Sequence, residues 1–194
     1  MHYDIILAGV GGQGILTIAT ILDRTAHSMG LHFKQCEVHG MSQRGGAVES
    51  HVRISSESIA SDLIPEGTAD IILSSEPLES LRYLSFLSPS GRVITSSTPF
   101  KNMASYPDET ALLNAIKALP RALLVDAGAL ATQAGSVRSQ NLVMLGALMP
   151  FVKLDKAEVE KQIEALFADK SETIRNANQK AFQFGYEASI SAKK

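Results

Sequence analysis

The chain has 194 residues, 45% of them hydrophobic and 20% charged, with a formal net charge of −2. This length supports one well-packed domain with a sizeable core, and the near-neutral charge argues against a protein that binds nucleic acid through its phosphates. The single cysteine, Cys36, excludes an internal disulfide and an iron–sulfur cluster held by this chain alone, which needs about four thiolates.

The first element is read at once. Residues 3–8 (YDIILA) form a short apolar run before a glycine cluster, the pattern of a buried parallel strand. After the cluster, apolar residues recur at helical spacing from Ile15 to Met29, and Gly30 stops the helix. Residues 31–38 and 48–54 read as strands around the loop 40–46 (GMSQRGG). Residues 69–73 (ADIIL) are another apolar strand, and a helix is expected from 77 to 87. Pro89-Ser90-Gly91 reads as a turn before a strand over 92–95. A helix over 108–119 starts on Asp108, and 122–125 is the last strand. Helices follow near 128–134 and 139–149, the second ended by Pro150. Asp155 with Glu158 resembles a capping box for a helix over 156–168. Ser171 begins a final helix to about Tyr186, with a frayed tail from Ser189.

Strands alternating with helices give an α/β fold with a doubly wound, mainly parallel, Rossmann-like sheet and C-terminal helices packed on it. The expected domain is 1–188, with 189–194 disordered. No apolar run approaches the ~20 residues needed to cross a membrane. No basic-then-apolar leader opens the sequence, so the expected location is the cytoplasm.

Gly9, Gly11, Gly12, Gln13 and Gly14 lie in a G-x-G-x-x-G segment between a strand and a helix. In that reading Gly9 permits the turn, Gly11 admits a phosphate to the backbone, and Gly14 lets the helix pack near the strand. The first helical N–H groups lack partners and favour an anion. The loop alone leaves three readings open: a plain turn, a phosphate-bearing ligand, or NAD with Glu37 on its ribose. If strand two runs parallel to strand one, the loop after it reaches the same sheet edge, and Arg44 becomes a phosphate partner. Glu76 and Asp126 end strands at that edge, where helix caps are the plain reading. His39 and His51 lack the spacing of a metal cluster. No G-x-S-x-G elbow is present.

Four segments together carry a family pattern: GVGGQGILTIA (9–19), EVHGMSQRGGAVESHVR (37–53), ADIILSSEPLESLR (69–82) and NLVMLGALMP (141–150). They resemble the gamma-type domain of 2-oxoacid:ferredoxin oxidoreductases over residues 3–185, nearly the whole chain. The run His39-Gly40-Met41-Ser42-Gln43 is similar to that of the indolepyruvate branch. The resemblance implies a cofactor-free subunit of an enzyme that oxidatively decarboxylates an arylpyruvate, transfers the acyl group to coenzyme A and passes electrons to ferredoxin. Thiamine diphosphate and iron–sulfur clusters would belong to a large partner subunit. Consistent with that division, the sequence has no Gly-Asp-Gly followed by the asparagine pair of a thiamine-diphosphate site. A coenzyme A contact is carried onto Gly9, Gly11, Gly12, Gln13 and Gly14, with Arg44 beside them. Two rival readings are a stand-alone NAD(P)-dependent dehydrogenase and a non-catalytic nucleotide-binding scaffold. No metal site is expected, and a face made for a partner could self-pair as a homodimer in isolation.

Overall fold

In a computed structural model of the chain, residues 1–39, 45–101, 103 and 105–192 are described, His39 by its backbone alone. The apolar run near the N-terminus becomes the central strand β1 (His2–Val10), buried from Asp4 to Val10. It is followed by α1 (Ile15–Ser28), β2 (His32–His39), β3 (Ala47–Ser55) and β4 (Ala69–Ser74). Then come α2 (Pro77–Arg82), β5 (Leu87–Ser96), α3 (Glu109–Lys117), β6 (Ala122–Val125) and α4 (Ala127–Ala134). The chain closes with α5 (Gln140–Leu148), α6 (Lys156–Leu166) and α7 (Glu172–Ala192).

The six strands form one sheet in the order β2-β3-β1-β4-β5-β6. β1 pairs parallel with β4, β4 with β5, and β5 with β6. β3 alone runs the other way, antiparallel to both β1 and β2. β2 is therefore parallel in direction to β1, and the two strands end on one edge, as expected from the sequence. They are not neighbours, however, because β3 lies between them.

Helices cover both faces, so the sheet is doubly wound. One face is large: Ile5, Leu7, Ile71, Leu73 and Ile94 meet α1 and the C-terminal helices. The other is small: Ile6, Ala8, Ile72 and Val93 meet Tyr83 and the segment after α2. Alternate residues of one strand thus feed two cores. The helix after β1 and the helix after β4 lie on opposite faces. The crevice between the carboxyl ends of β1 and β4 is the switch point where α/β sheets bind ligands.

Several expectations are corrected. The helix expected over 77–87 ends at Arg82; a single 3-10 turn, Leu84–Phe86, delivers Leu87 directly into β5. Pro89-Ser90-Gly91 lies within β5, where the register against β4 shifts between Ala69 and Ile71. Asp155 caps α6 by accepting the Ala157 N–H at 2.9 Å, but the reciprocal half of a capping box is missing. Glu158 instead accepts hydrogen bonds from Ser28 and Gln162. The tail expected to fray from Ser189 is helical to Ala192, with Ser189 fully buried and its hydroxyl donating to the Ala147 carbonyl at 2.9 Å.

Candidate functional site

The glycine loop sits at the β1–β4 crevice, but its residues divide the work differently from the expected pattern. Gly9 is still in β1, and a Cβ there would lie 2.8 Å from Ile15 Cδ1. It is Gly9 that lets α1 pack close to the strand. Gly14 is the N-cap of α1 in the left-handed region, with φ +76°. A Cβ on Gly14 would meet Asn141 Nδ2 at 2.5 Å. The Gly11 N–H, expected to face a phosphate, already donates to the Gly46 carbonyl at 2.8 Å. Gln13 is turned inward as a staple: Oε1 accepts the Val10 N–H at 2.8 Å and Nε2 donates to the Ser75 carbonyl at 3.3 Å. The loop is thereby tied to the end of β4.

A cleft of about 610 Å³ opens beside the loop. Of the residues singled out in the sequence, it is lined by Gly12, Gln13 and Gly14, not by Gly9 or Gly11. Its other lining residues come from far along the chain: Ser75, Thr98 and Phe100, the segment from Ser136 to Leu142, and Lys170 with Ile174. None of these was legible as a site residue, because nothing in the sequence links positions so far apart. The uncapped first turn of α1 gives the cleft a partial positive charge. Arg138 is exposed at its rim and makes no ion pair among the described residues.

Asn141, on the second position of α5, donates from Nδ2 to the Gly14 carbonyl at 3.4 Å. Its Oδ1 and the Ser75 Oγ are buried without a hydrogen-bond partner. An unpartnered buried polar atom costs about 1–3 kcal/mol, so two at one cleft mark it as built for something more than packing.

Behind the cleft, Glu76 is 1% exposed and caps α2 by accepting the Glu79 N–H at 2.9 Å. The same carboxylate accepts the Phe100 N–H at 3.3 Å and a short hydrogen bond from the Tyr106 hydroxyl. Burial, and then the Glu76 carboxylate, push the Tyr106 phenol well above its ordinary range, so it remains a donor. Asp126 caps α4 by accepting the Ala129 N–H at 3.0 Å. Both acids are therefore caps, as the plain reading of the sequence had it.

Arg44 lies outside the described residues, and so does the side chain of His39. His51 Nε2 is 2.7 Å from Glu49 Oε1, and its Nδ1 accepts the Ile64 N–H at 2.9 Å. With both ring nitrogens engaged, His51 is a structural histidine, and no metal-binding group of His, Cys, Asp or Glu occurs among the described residues. Glu37 belongs to the edge strand β2, separated from β1 by β3. A dinucleotide fold needs its ribose-binding acid on the strand beside β1; this insertion removes the structural basis for the NAD reading. Among the described residues no helix is long and apolar enough to cross a membrane.

The comparisons with known proteins fit this architecture. The model of the pyruvate ferredoxin/flavodoxin oxidoreductase family matches residues 4–188. The indolepyruvate oxidoreductase subunit IorB of Archaeoglobus fulgidus is 37% identical, over 100% of this chain and 98% of that protein. A keto/oxoacid ferredoxin oxidoreductase gamma subunit from Geobacter sulfurreducens superposes with a TM-score of 0.72 at 24% identity, covering 97% of this chain and 99% of that one. A 2-oxoglutarate:ferredoxin oxidoreductase from Magnetococcus marinus, with 2-oxoglutarate, coenzyme A and succinyl-CoA bound, gives a TM-score of 0.78 at 20% identity, covering 98% of this chain and 31% of that one. At those identities the two structures establish the shared fold.

Proposed function

The chain belongs to the pyruvate ferredoxin/flavodoxin oxidoreductase family, and on that premise we propose that it is the small subunit of an arylpyruvate-type 2-oxoacid:ferredoxin oxidoreductase. The observation that carries this is end-to-end similarity to a subunit of the indolepyruvate enzyme, over 100% of this chain and 98% of the relative. The complex would cleave carbon dioxide from the 2-oxoacid, transfer the acyl group to the thiol of coenzyme A and pass the electrons to ferredoxin. Thiamine diphosphate, which stabilises the carbanion left by decarboxylation, and the iron–sulfur clusters are assigned to a large partner subunit.

The part proposed for this chain is binding. Gly12, Gln13 and Gly14 present the N-terminus of α1 to the cleft, and a phosphate of coenzyme A is the anion proposed to sit there. Gly9 and Gly11 shape the loop from behind. Arg44 is retained as a proposed phosphate partner. A neighbouring fold was solved with coenzyme A present, which supports the choice of ligand without locating it.

Anaerobic affinity purification of the chain from its native cells tests the assignment. A brown, large partner that releases thiamine diphosphate is expected, with arylpyruvate-dependent ferredoxin reduction that requires both subunits. A colourless chain with no large partner would overturn it. In the complex, Arg44→Ala should raise the apparent coenzyme A requirement without loss of the partner; an unchanged requirement removes Arg44 from the site.

A further inference from the structure

We propose that the amino-terminal edge of the sheet carries a docking point for a partner protein, at which Arg92 and Arg121 together hold an acidic side chain of the large subunit. The inference rests on the reading of this chain as a subunit of a larger complex and adds the face by which it is held. That face lies at the end of the sheet opposite the glycine-loop cleft.

The first observation is a like-charge pair across the ladder. β5 and β6 pair Val93 with Ala122 and Ile94 with Leu123. The residues just before them, Arg92 and Arg121, are therefore neighbours on adjacent strands. The Val93 N–H donates to the Arg121 carbonyl at 3.2 Å and fixes that register. Alternation puts both side chains on the face of the large core, where Ile94, Leu123 and Val125 also lie. Adjacent strands are about 4.8 Å apart, and like charges side by side on one face oppose folding. Neither arginine makes an ion pair among the described residues. Burial, and then the Arg121 guanidinium, lower the Arg92 pKa from its ordinary value, the direction expected where a cation faces a cation.

The second observation is that both guanidiniums are held in place by contacts that leave donors over. Arg92 lies over the Phe151 ring, 3.9 Å from its centroid. Such stacking engages the flat face of the group, not the N–H groups at its edge. Arg121 donates from Nη1 to the Pro89 carbonyl at 3.0 Å, which uses one of five donors. Pro89 belongs to the irregular stretch of β5 where the register against β4 shifts, and such bulges commonly re-aim a side chain. Two pre-ordered guanidinium forks at one corner match the oxygens of a carboxylate, which accept paired hydrogen bonds.

The surroundings favour a protein carboxylate over a small ion. Arg121 is exposed, and so are Pro89, Ser90 and Pro120 beside it. Two of these are prolines, which have no N–H to offer an anion. A free ion would rest on two side chains in open water, whereas a carboxylate on a facing protein surface is covered as it docks. β6 is the edge strand of the sheet, so the corner is open to that approach.

The test compares the complex with the free chain. Arg121→Gln removes one charge of the pair and Arg121→Glu reverses it; Lys180→Glu, exposed on α7, is the control for net charge. In the complex with the large subunit, the dissociation constant read by sedimentation should rise about tenfold for Arg121→Gln and further for Arg121→Glu. In the free chain, Arg121→Gln should hold or raise the melting temperature, because a like charge is removed. A lower melting temperature with unchanged association would make Arg121 a structural contact of Pro89 and overturn the proposal. Equal weakening by Lys180→Glu would reduce the effect to net charge and overturn it too. So would Arg121-dependent stabilisation of the free chain by inorganic phosphate, the mark of a small-ion site. If the parent chain associates with no large subunit, the reading of the chain as a subunit fails and this inference with it.

Discussion

Gly14 and Ser75 occupy opposite ends of the energetic scale at one cleft. Gly14 holds φ +76° and faces Asn141 so closely that a Cβ would lie 2.5 Å from Nδ2. A left-handed alanine alone costs about 1–2 kcal/mol, and displacement of Asn141 adds to that. Gly14→Ala should therefore lower the unfolding free energy by about 2 kcal/mol or more, read from urea denaturation, and weaken coenzyme A binding. The need for glycine there was legible from the strand–GxGxxG–helix order; its tie to a side chain 127 residues away was not. Ser75 behaves oppositely. Its hydroxyl has no partner and is nearly sealed from water, so deleting it removes a desolvation penalty rather than a bond. Ser75→Ala should leave stability unchanged or raise it, by up to about 1–3 kcal/mol, while reducing the coenzyme A affinity of the complex. A loss above about 1 kcal/mol would mean that Oγ does have a partner in the folded protein.

Elements were legible where a local pattern decided them and illegible where packing did. The strands at 3–8, 69–73 and 122–125 stand out from their sequence because each is a continuous apolar run, and each appears within a few residues of its expected bounds. The break after Arg82 has no local signal, since residues 84–86 are compatible with a continued helix; the chain turns there because Leu87 must pair with Ala69. The antiparallel insertion of β3 between β2 and β1 is equally silent, because a strand pattern carries no direction. So is the crossing of α5 and α7. A Cβ on Gly146 would fall 2.0 Å from the Phe182 carbonyl oxygen, and one on Gly185 would fall 1.9 Å from that of Val143. Each glycine receives the backbone of the other helix. Replacing a mid-helix glycine by alanine normally gains up to about 1 kcal/mol. Here the sign should reverse: Gly146→Ala and Gly185→Ala should each cost about 3 kcal/mol through overpacking, measured by chemical denaturation. Because α5 carries Asn141 and α7 carries Asn178 to the same cleft, any folded variant should also bind coenzyme A less well. A stability gain in either variant would contradict this crossing.

At the scale of the molecule, the sheet separates a large core from a small one, and the small one contains a titratable group. Tyr83 is 8% exposed and packs with Ile6, Ile72 and Val93. Burial, with Glu49 and Glu79 nearby, pushes its phenol from 10.0 up to about 12. The folded state therefore holds this proton more tightly than the unfolded chain does. Below pH 10 both states keep it and stability does not respond. Above pH 10 the unfolded chain ionises first, so stability falls with rising pH until the folded phenol also ionises near 12. Tyr106 is shifted upward as well, by burial and by its bond to Glu76, and adds to the same slope. Unfolding free energies measured by urea between pH 8 and about 11.5 should be level at first and then decline from near 10. Tyr83→Phe should make the decline shallower, and Tyr83→Phe with Tyr106→Phe shallower still. Hydrogen exchange should locate the loss: at alkaline pH, protection should fall first in β4, α2 and β5, which frame the small core, and last in α5 and α7 on the opposite face. A decline of the same slope in the double variant, or simultaneous loss from both faces, would show that the smaller core is not where alkaline unfolding begins.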